Sequence, residues 1–248
     1  MATFEIFNAD CLEKMKDIPE KSVGLMVADL PYGETDCKWD CIIDLEKFWI
    51  ELKRILKPNG QCLFFCSTKF GNSIINSNPK WYRSDMVWEK TKGVGHLNAK
   101  KALLRKHELI YLFHNPTKPT NLKWTYNPQM VKGEPYSRGK QPIKNPAVYY
   151  KKVEYTHENL TGDRFPNSIL RIGNTADNSK KIHPTQKPIE LYEWLIKTYS
   201  NEGDLIFDPT FGSCNSGQAC INLNRRYIGI EMNKEFFDKG VERFKLNK

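Results

Sequence analysis

Two short segments, far apart in the chain, combine residue types that can do chemistry. The first is the run Val27-Ala28-Asp29-Leu30-Pro31-Tyr32-Gly33, in which an acid, a proline and an aromatic follow an apolar stretch. An exocyclic amine on a nucleobase is a poor nucleophile because its lone pair is delocalised into the ring, so an enzyme must bind its N–H groups with acceptors. The Asp29 carboxylate and the Leu30 carbonyl can supply them, and Tyr32 can stack on a base extruded from a duplex. Alone, the run is more often a helix-capping Asp before an ordinary turn.

The second segment runs from Phe207 to Gly217, where a predicted strand leads into a glycine-containing turn and a helix. The dinucleotide fingerprint G-x-G-x-x-G is absent, and Asp208 puts a carboxylate where a pyrophosphate would bind. A carboxylate there favours a cationic ligand. S-adenosylmethionine fits, because its sulfonium and amino groups are positive and Glu231, ending the next strand, can accept hydrogen bonds from ribose hydroxyls. The alternative is that Gly212 and Gly217 only permit a tight turn and close helix packing.

Both segments must be positioned by an α/β domain with a mostly parallel sheet, which the alternation of short apolar runs and amphipathic stretches predicts. The predicted strands are residues 3–9, 23–28, 61–66, 82–88, 108–114, 205–207 and 227–230. The predicted helices are residues 11–17, 45–56, a short one after 66, 188–200, 215–223 and 233–245. Ligands bind at the carboxyl ends of strands in such sheets, which is where Asp29 lies.

The charge of the chain is regional. The 248 residues, 40% of them hydrophobic, suffice for one core plus a sizeable insertion, and the net charge of +9 favours a nucleic-acid partner. Residues 90–164 hold 15 Lys and Arg against five Asp and Glu, and residues 90–106 hold six cations and no acid. Residues 115–164 add six of the 14 prolines and six aromatic side chains. Cations interleaved with aromatics suit phosphates and bases, although a solvated insertion has a similar composition.

Cysteine usage and the absence of targeting signals predict a cytoplasmic protein that is not secreted. Seven cysteines, an odd number, without a secretory signal favour reduced thiols. Cys37/Cys41 and Cys62/Cys66 resemble pairs of zinc ligands, but each pair has three intervening residues and the second lies in an apolar run, so no metal is expected. No window approaches the roughly 18 apolar residues of a membrane span, so no membrane partner is expected.

Five motifs in a fixed order resemble those of β-class amino DNA methyltransferases, the adenine-N6 and cytosine-N4 type found in phages and restriction-modification systems. Asp29-Leu30-Pro31-Tyr32 is similar to the family's D-P-P-Y, and Asp208 to Gly217 is similar to D-P-F-x-G-S-G-T-T-G. His183-Pro184-Thr185-Gln186-Lys187-Pro188 matches the block before the cofactor-binding strand. Asn8-Ala9-Asp10-Cys11-Leu12 resembles the G-D-C-L segment, and Tyr227-Ile228-Gly229-Ile230-Glu231 the strand with the ribose-binding acid.

The order of these motifs implies a circular permutation. Only 17 residues follow Glu231, too few for the remaining strands, so the N-terminal half must supply them. The implied fold is a circularly permuted, Rossmann-like, S-adenosylmethionine-dependent methyltransferase fold with helices on both faces and a basic insertion. Residues 1–114 and 165–248 would form the catalytic and cofactor-binding domain. Residues 115–164 would form the target-recognition insertion, flanked by the basic loop 90–106.

The resemblance also implies roles for individual residues. The catalytic set would be Asp29, Leu30, Pro31 and Tyr32, with Asp29 as the main acceptor for the amine. The S-adenosylmethionine site would comprise Asp10, Cys11, Asp29, His183, Thr185, Gln186, Lys187, Asp208, Pro209, Thr210, Phe211, Gly212, Ser213, Glu231 and Met232. Within it, Asp208 would face the methionine part of the cofactor, Glu231 the ribose and Asp10 the adenine. The DNA contacts would be Lys90, Lys92, Lys100, Lys101, Arg105, Lys123, Lys132, Arg138 and Lys140.

The implied activity is site-specific adenine-N6 methylation of double-stranded DNA with base flipping, by a monomer or a homodimer in a bacterial, phage-infected or virus-infected cell. Two positions depart from the family pattern. Leu30 replaces a proline that would fix φ, and Cys214 replaces a glycine, at a cost of about 1 kcal/mol or more if the turn needs positive φ. A cytosine-N4 enzyme and a DNA-binding homologue with impaired catalysis are the main alternatives. An RNA substrate and protein glutamine methylation are the others.

Overall fold

The computed structural model describes residues 4–33, 42–116, 121–141, 155–174 and 186–245. The strands in chain order are β1 (Phe4–Phe7), β2 (Val23–Ala28), β3 (Leu56–Cys66), β4 (Tyr82–Val94), β5 (Arg105–His114), β6 (Val131–Lys132), β7 (Tyr136–Gln141), β8 (Tyr155–Asn159), β9 (Asp163–Arg164), β10 (Ile169–Arg171), β11 (Leu205–Asp208) and β12 (Arg226–Ile230). The helices are α1 (Cys11–Met15), α2 (Leu45–Ile55), α3 (Thr68–Ser77), α4 (Ile189–Tyr199), α5 (Asn215–Asn222) and α6 (Lys234–Lys245), with a 3₁₀ turn at His96–Asn98.

Eight strands form one sheet in the order β1-β12-β11-β2-β3-β5-β4-β10. All neighbouring pairs are parallel except those of β5, which is antiparallel to both β3 and β4. The central strand β11, from the C-terminal part of the chain, pairs with β2 on one side and β12 on the other. The N-terminal half therefore supplies most of the sheet, and the expected α/β fold with a mostly parallel sheet assembled from both ends of the chain is confirmed.

Helices cover both faces of the sheet because the buried strands alternate their side chains. In β3, Cys62 and Phe64 belong to one hydrophobic cluster, whereas Leu63 and Phe65 belong to the other. Buried side chains of α1, α2 and α3 pack in the first cluster, and those of α4 and α5 pack in the second. The sequence predicted α2 closely, since Asp44 caps it by accepting from the Lys47 N–H at 3.1 Å.

The chain divides into two compact units, one of residues 1–127 and 168–248 and the other of residues 128–167. The predicted insertion of residues 115–164 therefore starts earlier in sequence than the smaller unit does. The rings of Trp124 and His114 are 3.8 Å apart, and the Asn127 N–H donates to the Thr198 carbonyl at 2.8 Å, so residues 121–127 pack in the larger unit. Composition could not show this boundary, because hydrogen bonds and ring contacts to residues distant in the sequence hold the segment in the larger unit.

The smaller unit consists of two antiparallel strand pairs, β6 with β9 and β7 with β8. The sequence gives no sustained strand period here, because two of the strands have only two residues each. Their pairing continues through the Gly133 N–H, which donates to the Gly162 carbonyl at 2.8 Å. In the described part of the chain, no helix is both long and apolar enough to cross a membrane.

Candidate active site

The carboxyl ends of four neighbouring parallel strands bring the predicted acids to one edge of the sheet. Asp10, Glu231, Asp208 and Asp29 stand at or just after the ends of β1, β12, β11 and β2. The Thr210 hydroxyl donates to the Asp29 carbonyl at 3.1 Å. This hydrogen bond joins the two segments in which the sequence showed chemistry, although 181 residues separate the two partners.

An acceptor and an aromatic platform lie together at the end of β2. The Tyr32 hydroxyl donates to Oδ1 of Asp29 at 2.8 Å, and burial, followed by the Asp29 charge, raises the pKa of Tyr32 well above its usual value. The ring of Tyr32 stacks on Phe70 of α3, with centroids 4.8 Å apart and planes 26° apart. Sequence reasoning missed Phe70, because an apolar residue on an amphipathic helix has no signal that separates it from the core. Leu30 is 2% exposed and packs in the core beside α2.

Lys187 turns toward Asp29, which the family pattern did not specify. Its side chain is 4% exposed, and its ammonium pairs with Oδ2 of Asp29 and lies 3.4 Å from Oε2 of Glu108. Burial lowers the pKa of Lys187, but the two carboxylates outweigh burial and hold the pKa above its usual value. The ammonium also lies 4.9 Å from the centre of the Phe65 ring. Lys187 is therefore a charged group within the acceptor site.

Glu108 is a second buried carboxylate that sequence reasoning missed. It begins the apolar part of β5, and because β5 is antiparallel this position lies at the same edge as the ends of the parallel strands. Its other oxygen pairs with Lys90, which is 9% exposed. Lys90 was predicted to contact DNA, and the structure corrects this, because its ammonium is paired inside the protein. An acid directly before an apolar strand and after a basic loop was the signal available for Glu108.

Asp208 is the most buried acid of the site, at 1% exposure. Its Oδ1 accepts the Thr210 N–H at 3.0 Å, and its Oδ2 accepts the Ser216 hydroxyl at 2.5 Å. Burial raises the pKa of Asp208 to about 7, and the Asp29 and Glu231 carboxylates add to the rise while the two hydrogen bonds oppose it. The protein thus places a carboxylate that is costly to ionise close to two further acids.

Glu231 and Asp10 are held by backbone N–H groups at the neighbouring strand ends. Glu231 accepts the Gly212 N–H at 2.9 Å and the Asn233 N–H at 2.7 Å, and burial raises its pKa. Asp10 accepts the Leu12 N–H at 2.8 Å and caps α1. This cap is a structural role that the family pattern did not imply.

The turn after β11 has the positive-φ, left-handed backbone in which a non-glycine residue such as Cys214 is costly. Gly212 has φ 53° and Cys214 has φ 56°, and the Cys214 side chain is fully buried. Asn215 follows and donates its side-chain amide to the Lys187 carbonyl at 2.5 Å. The turn, including the buried Phe211 and Ser213, is therefore tied to the segment that carries Lys187.

The chemistry of this donor set fits a cationic, ribose-containing ligand. Asp29, Asp208 and Glu231 lie at the ends of adjacent strands, and the charges that act on Asp208 are the other two carboxylates. A sulfonium or ammonium group beside Asp208 would relieve this repulsion. S-adenosylmethionine has both groups, and the Glu231 carboxylate offers acceptors for ribose hydroxyls. Among the described residues, no group of three or more His, Cys, Asp and Glu side chains is arranged to hold a metal ion.

Some of the other predicted site residues lie outside the described residues, and the rest differ in burial. His183 and Thr185 lie outside the described residues, as do the side chains of Arg138 and Lys140 and the pair Cys37/Cys41. Cys11 is buried, and burial raises its pKa to about 12. Met232 is 58% exposed. Cys62 and Cys66 are free, buried thiols. Pro31, Pro209 and Gln186 lie in the described loops around the site.

The predicted DNA-contacting cations fall on two opposite edges of the larger unit. Lys92, Lys100, Lys101 and Arg105 are exposed at or near the connection between β4 and β5, at the edge where Asp29 lies. Lys123 is exposed at the other edge, because its carbonyl accepts from Asn59 near the start of β3 at 3.2 Å. This position separates Lys123 from the four exposed cations near the β4–β5 connection. In the smaller unit, Lys132 pairs with Asp163 at 2.6 Å.

Strand order, the reversed β5 and an acid-bearing turn after the central strand define an α/β methyltransferase. A family model for DNA methylases of the N6/N4 type matches residues 23–242, and the chain belongs to this family. M.HpaI, a type II methyltransferase of Haemophilus parainfluenzae, is 29% identical over 250 residues, covering 95% of this chain and 72% of the relative. The DNA adenine methyltransferase YhdJ of Escherichia coli is 31% identical over 254 residues, covering 96% and 81%. The crystal structure of the M1.HpyAVI-SAM complex has a TM-score of 0.67 and 24% identity, covering 98% of this chain and 99% of that one.

Proposed function

We propose that this DNA methyltransferase transfers a methyl group from S-adenosylmethionine to the N6 amine of adenine in double-stranded DNA. The observation that carries the proposal is the pairing of Asp29, the acceptor, with the Tyr32 platform, tied by Thr210 to the turn that bears Asp208. In this family, cytosine-N4 enzymes usually have Ser before Pro-Pro-Tyr. The acid at position 29 therefore favours adenine.

The target base would stack on the face of the Tyr32 ring opposite Phe70, which covers one face. The duplex must release the base for this, at a cost of a few kcal/mol in unstacking and unpairing. Asp29 and the Leu30 carbonyl would then accept the two N–H groups of the amine. This pulls the nitrogen toward a pyramidal geometry and localises its lone pair.

The cofactor supplies an electrophilic methyl group on a sulfonium. Asp208 would hold its cationic methionine part, Glu231 its ribose and the segment of Asp10 and Cys11 its adenine. The amine lone pair would form the new nitrogen–carbon bond as the carbon–sulfur bond breaks, leaving a neutral thioether and moving the positive charge to the nitrogen. Asp29 would stabilise this charge, and the nitrogen would then release one proton, which ultimately passes to water. The Thr210 bond fixes the spacing of the two pockets, which is the alignment that such a displacement requires.

We propose that the exposed cations between β4 and β5 of the larger unit bind DNA phosphates. The smaller unit is proposed separately to take part in target recognition. Like-charged side chains on one edge supply counter-ions for phosphates, and aromatic side chains can stack on bases. DNA in a bacterial or phage-infected cell lies in the cytoplasm, which we take as the site of action. We propose a homodimer as one oligomeric state of the protein, and the molecular mass in solution tests this.

The decisive experiment incubates the protein with unmethylated DNA and S-adenosylmethionine carrying a labelled methyl group, followed by digestion to nucleosides. Label in N6-methyladenine supports the proposal, and label in N4-methylcytosine replaces adenine with cytosine as the target. Cofactor binding without label in any nucleoside contradicts the enzyme and favours an impaired homologue. Asp29→Ala should abolish transfer and leave DNA affinity nearly unchanged. Asp17→Ala, at an exposed acid in the turn after α1, is the matched control.

A further inference from the structure

Four side chains of alternating charge run from the candidate active site into the sheet. Asp29 pairs with Lys187, Lys187 lies 3.4 Å from Glu108, and Glu108 pairs with Lys90. The side chains of Lys187 and Lys90 are 4% and 10% exposed, so both ammonium groups lie largely out of water. Ion pairs with so little solvent around them are strongly coupled, because little screening acts between them.

The Lys187 ammonium is shared by two carboxylates that compete for it. Asp29 already accepts the Tyr32 hydroxyl on Oδ1 and the ammonium on Oδ2. A carboxylate oxygen has about two acceptor positions, so room remains for the N–H groups of a target amine. How strongly Asp29 accepts them depends on how much positive charge Lys187 brings to it. Glu108 draws part of that charge away.

We propose that Glu108 is a positioning residue for methyl transfer: by sharing Lys187 with Asp29, it fixes the Asp29 carboxylate in place and preserves its strength as an acceptor. Lys90 holds Glu108 from the far side. This inference rests on the proposed function, because it concerns the same acceptor. Nothing in the sequence motifs marks Glu108 for the role, whereas its contacts do.

Several elements place titratable groups around the Lys187 ammonium. The end of β2 contributes Asp29 and Tyr32, β3 contributes Cys66, β5 contributes Glu108, and β4 contributes Lys90 through Glu108. Tyr192 of α4 is acted on by the Asp29 and Glu108 charges. Among them, Asp29 and Glu108 are the groups that raise the pKa of Lys187 against the effect of burial. Removing the Glu108 charge must therefore make Lys187 lose its proton at lower pH. A purely structural salt bridge would change stability without coupling this titration to the rate of the reaction.

The test compares the whole protein with its Glu108→Gln variant in two measurements. In protein without cofactor, the ¹³Cε resonance of Lys187 should titrate at least one pH unit lower in Glu108→Gln than in the wild type. In the methyl-transfer assay, kcat should fall at least tenfold, both KM values should stay within twofold, and the alkaline limb of the kcat profile should move to lower pH. Glu108→Asp keeps the charge and should restore most of the titration and of kcat.

Glu89→Gln is the matched control, since Glu89 of β4 is also paired with two cations, Lys106 and Arg171, but both of these cations are exposed. It should move neither the Lys187 titration nor the alkaline limb. If Glu108→Gln does not fold, Lys90→Met provides the opposite change, because Glu108 then pairs more fully with Lys187 and the titration should rise. An unchanged Lys187 titration, or an unchanged kcat with a shifted titration, overturns the inference. A wild-type protein that transfers no methyl group overturns the proposed function instead.

Discussion

Asp208 couples ligand binding to pH because its burial makes the ionised form costly. With a pKa of about 7 in the free protein, the carboxyl group is largely protonated in mild acid. A cationic cofactor binds the ionised form, so S-adenosylmethionine affinity should fall by up to tenfold per pH unit below 7. Calorimetric titration between roughly pH 5.5 and 7.5 measures this. An affinity that does not change with pH in this range would contradict the role of Asp208.

The same group predicts a trade-off between stability and binding. The folded pKa of about 7 lies above the ordinary value of 3.8, so the unfolded chain releases its proton first as pH rises. The stability of the free protein therefore declines between these two pH values. Asp208→Asn should remove the decline and unfold with a higher free energy than the wild type at pH 8, while losing most of its cofactor affinity. Urea unfolding at pH 5 and pH 8 tests this, and a destabilised variant at pH 8 would refute it.

Cys214 stores backbone strain in the turn after β11. A non-glycine residue in the left-handed region costs roughly 1 to 2 kcal/mol, and Cys214 has φ 56°. Cys214→Gly should therefore be more stable to urea than Cys214→Ala by about 1 kcal/mol, since both lose the thiol and only glycine relieves the strain. Ala219 of the following helix is the control, where a change to Gly should destabilise by about 1 kcal/mol. Equal stability of the two Cys214 variants would show that the turn is not strained.

At the residue level, the sequence revealed the side chains that stand in motifs and missed those that act through contacts between distant elements. Asp29, Asp208 and Glu231 were visible because each follows a predicted strand. Glu108 and Phe70 were not, since their importance comes from partners 79 and 38 residues away in the chain, Lys187 and Tyr32. Lys90 was misread because a cation in a basic run gives no sign of a buried partner.

The close packing of helix α3 on the sheet sets the position of Phe70, which supports the Tyr32 ring. A methyl group on Gly71 would lie 2.3 Å from Cε2 of Tyr111, so the helix rests directly on β5. Gly71→Ala should destabilise the protein by about 1 to 3 kcal/mol and lower kcat as well, because the adjacent Phe70 supports Tyr32. Thermal unfolding and methyl-transfer rates measure the two effects.

Two further variants make the Gly71 prediction specific. A second change, Tyr111→Leu, should recover part of the loss in Gly71→Ala by making room for the methyl group. Gly173→Ala is the control, since its nearest contact, Thr91 Cγ2, is at an ordinary 3.7 Å. If Gly71→Ala is as stable as Gly173→Ala, the close packing of α3 on Tyr111 does not exist.

At the level of elements, hydrophobic periodicity predicted most of the sheet and its helices. The bounds of β2 agree with the structure and those of α2 agree to within one residue, because an apolar run and a capping Asp44 are local signals. β3 begins five residues earlier than predicted, at Leu56, because Lys57-Pro58-Asn59-Gly60 reads as a stop while the chain stays extended. The strands of the smaller unit had no local signal, since pairing across the chain creates them.

For the molecule as a whole, the edge that carries the acids also carries the exposed cations of the β4–β5 connection. If DNA binds there, replacing both Lys100 and Lys101 by Ala should weaken DNA binding. It should also reduce the slope of log affinity against log salt by about 0.9 for each phosphate that the variant no longer neutralises. Lys123→Ala, at the opposite edge, should leave both quantities unchanged. Fluorescence anisotropy with a labelled duplex at several salt concentrations tests this, and an equal effect of Lys123→Ala would refute the division between edges.

The pairing of β2 with β11 and of β1 with β12 has a consequence for the protein during its synthesis. Phe4 pairs with Tyr227, so the two halves of the sheet cannot join until the C-terminal strands leave the ribosome. At a synthesis rate of about 5 to 20 residues per second, the apolar edge of β2 that later pairs with β11 stays unpaired for roughly 10 to 40 s. A nascent chain in this state can pair with other strands and aggregate. The yield of active protein should therefore depend on the chaperones that cover this edge while translation continues.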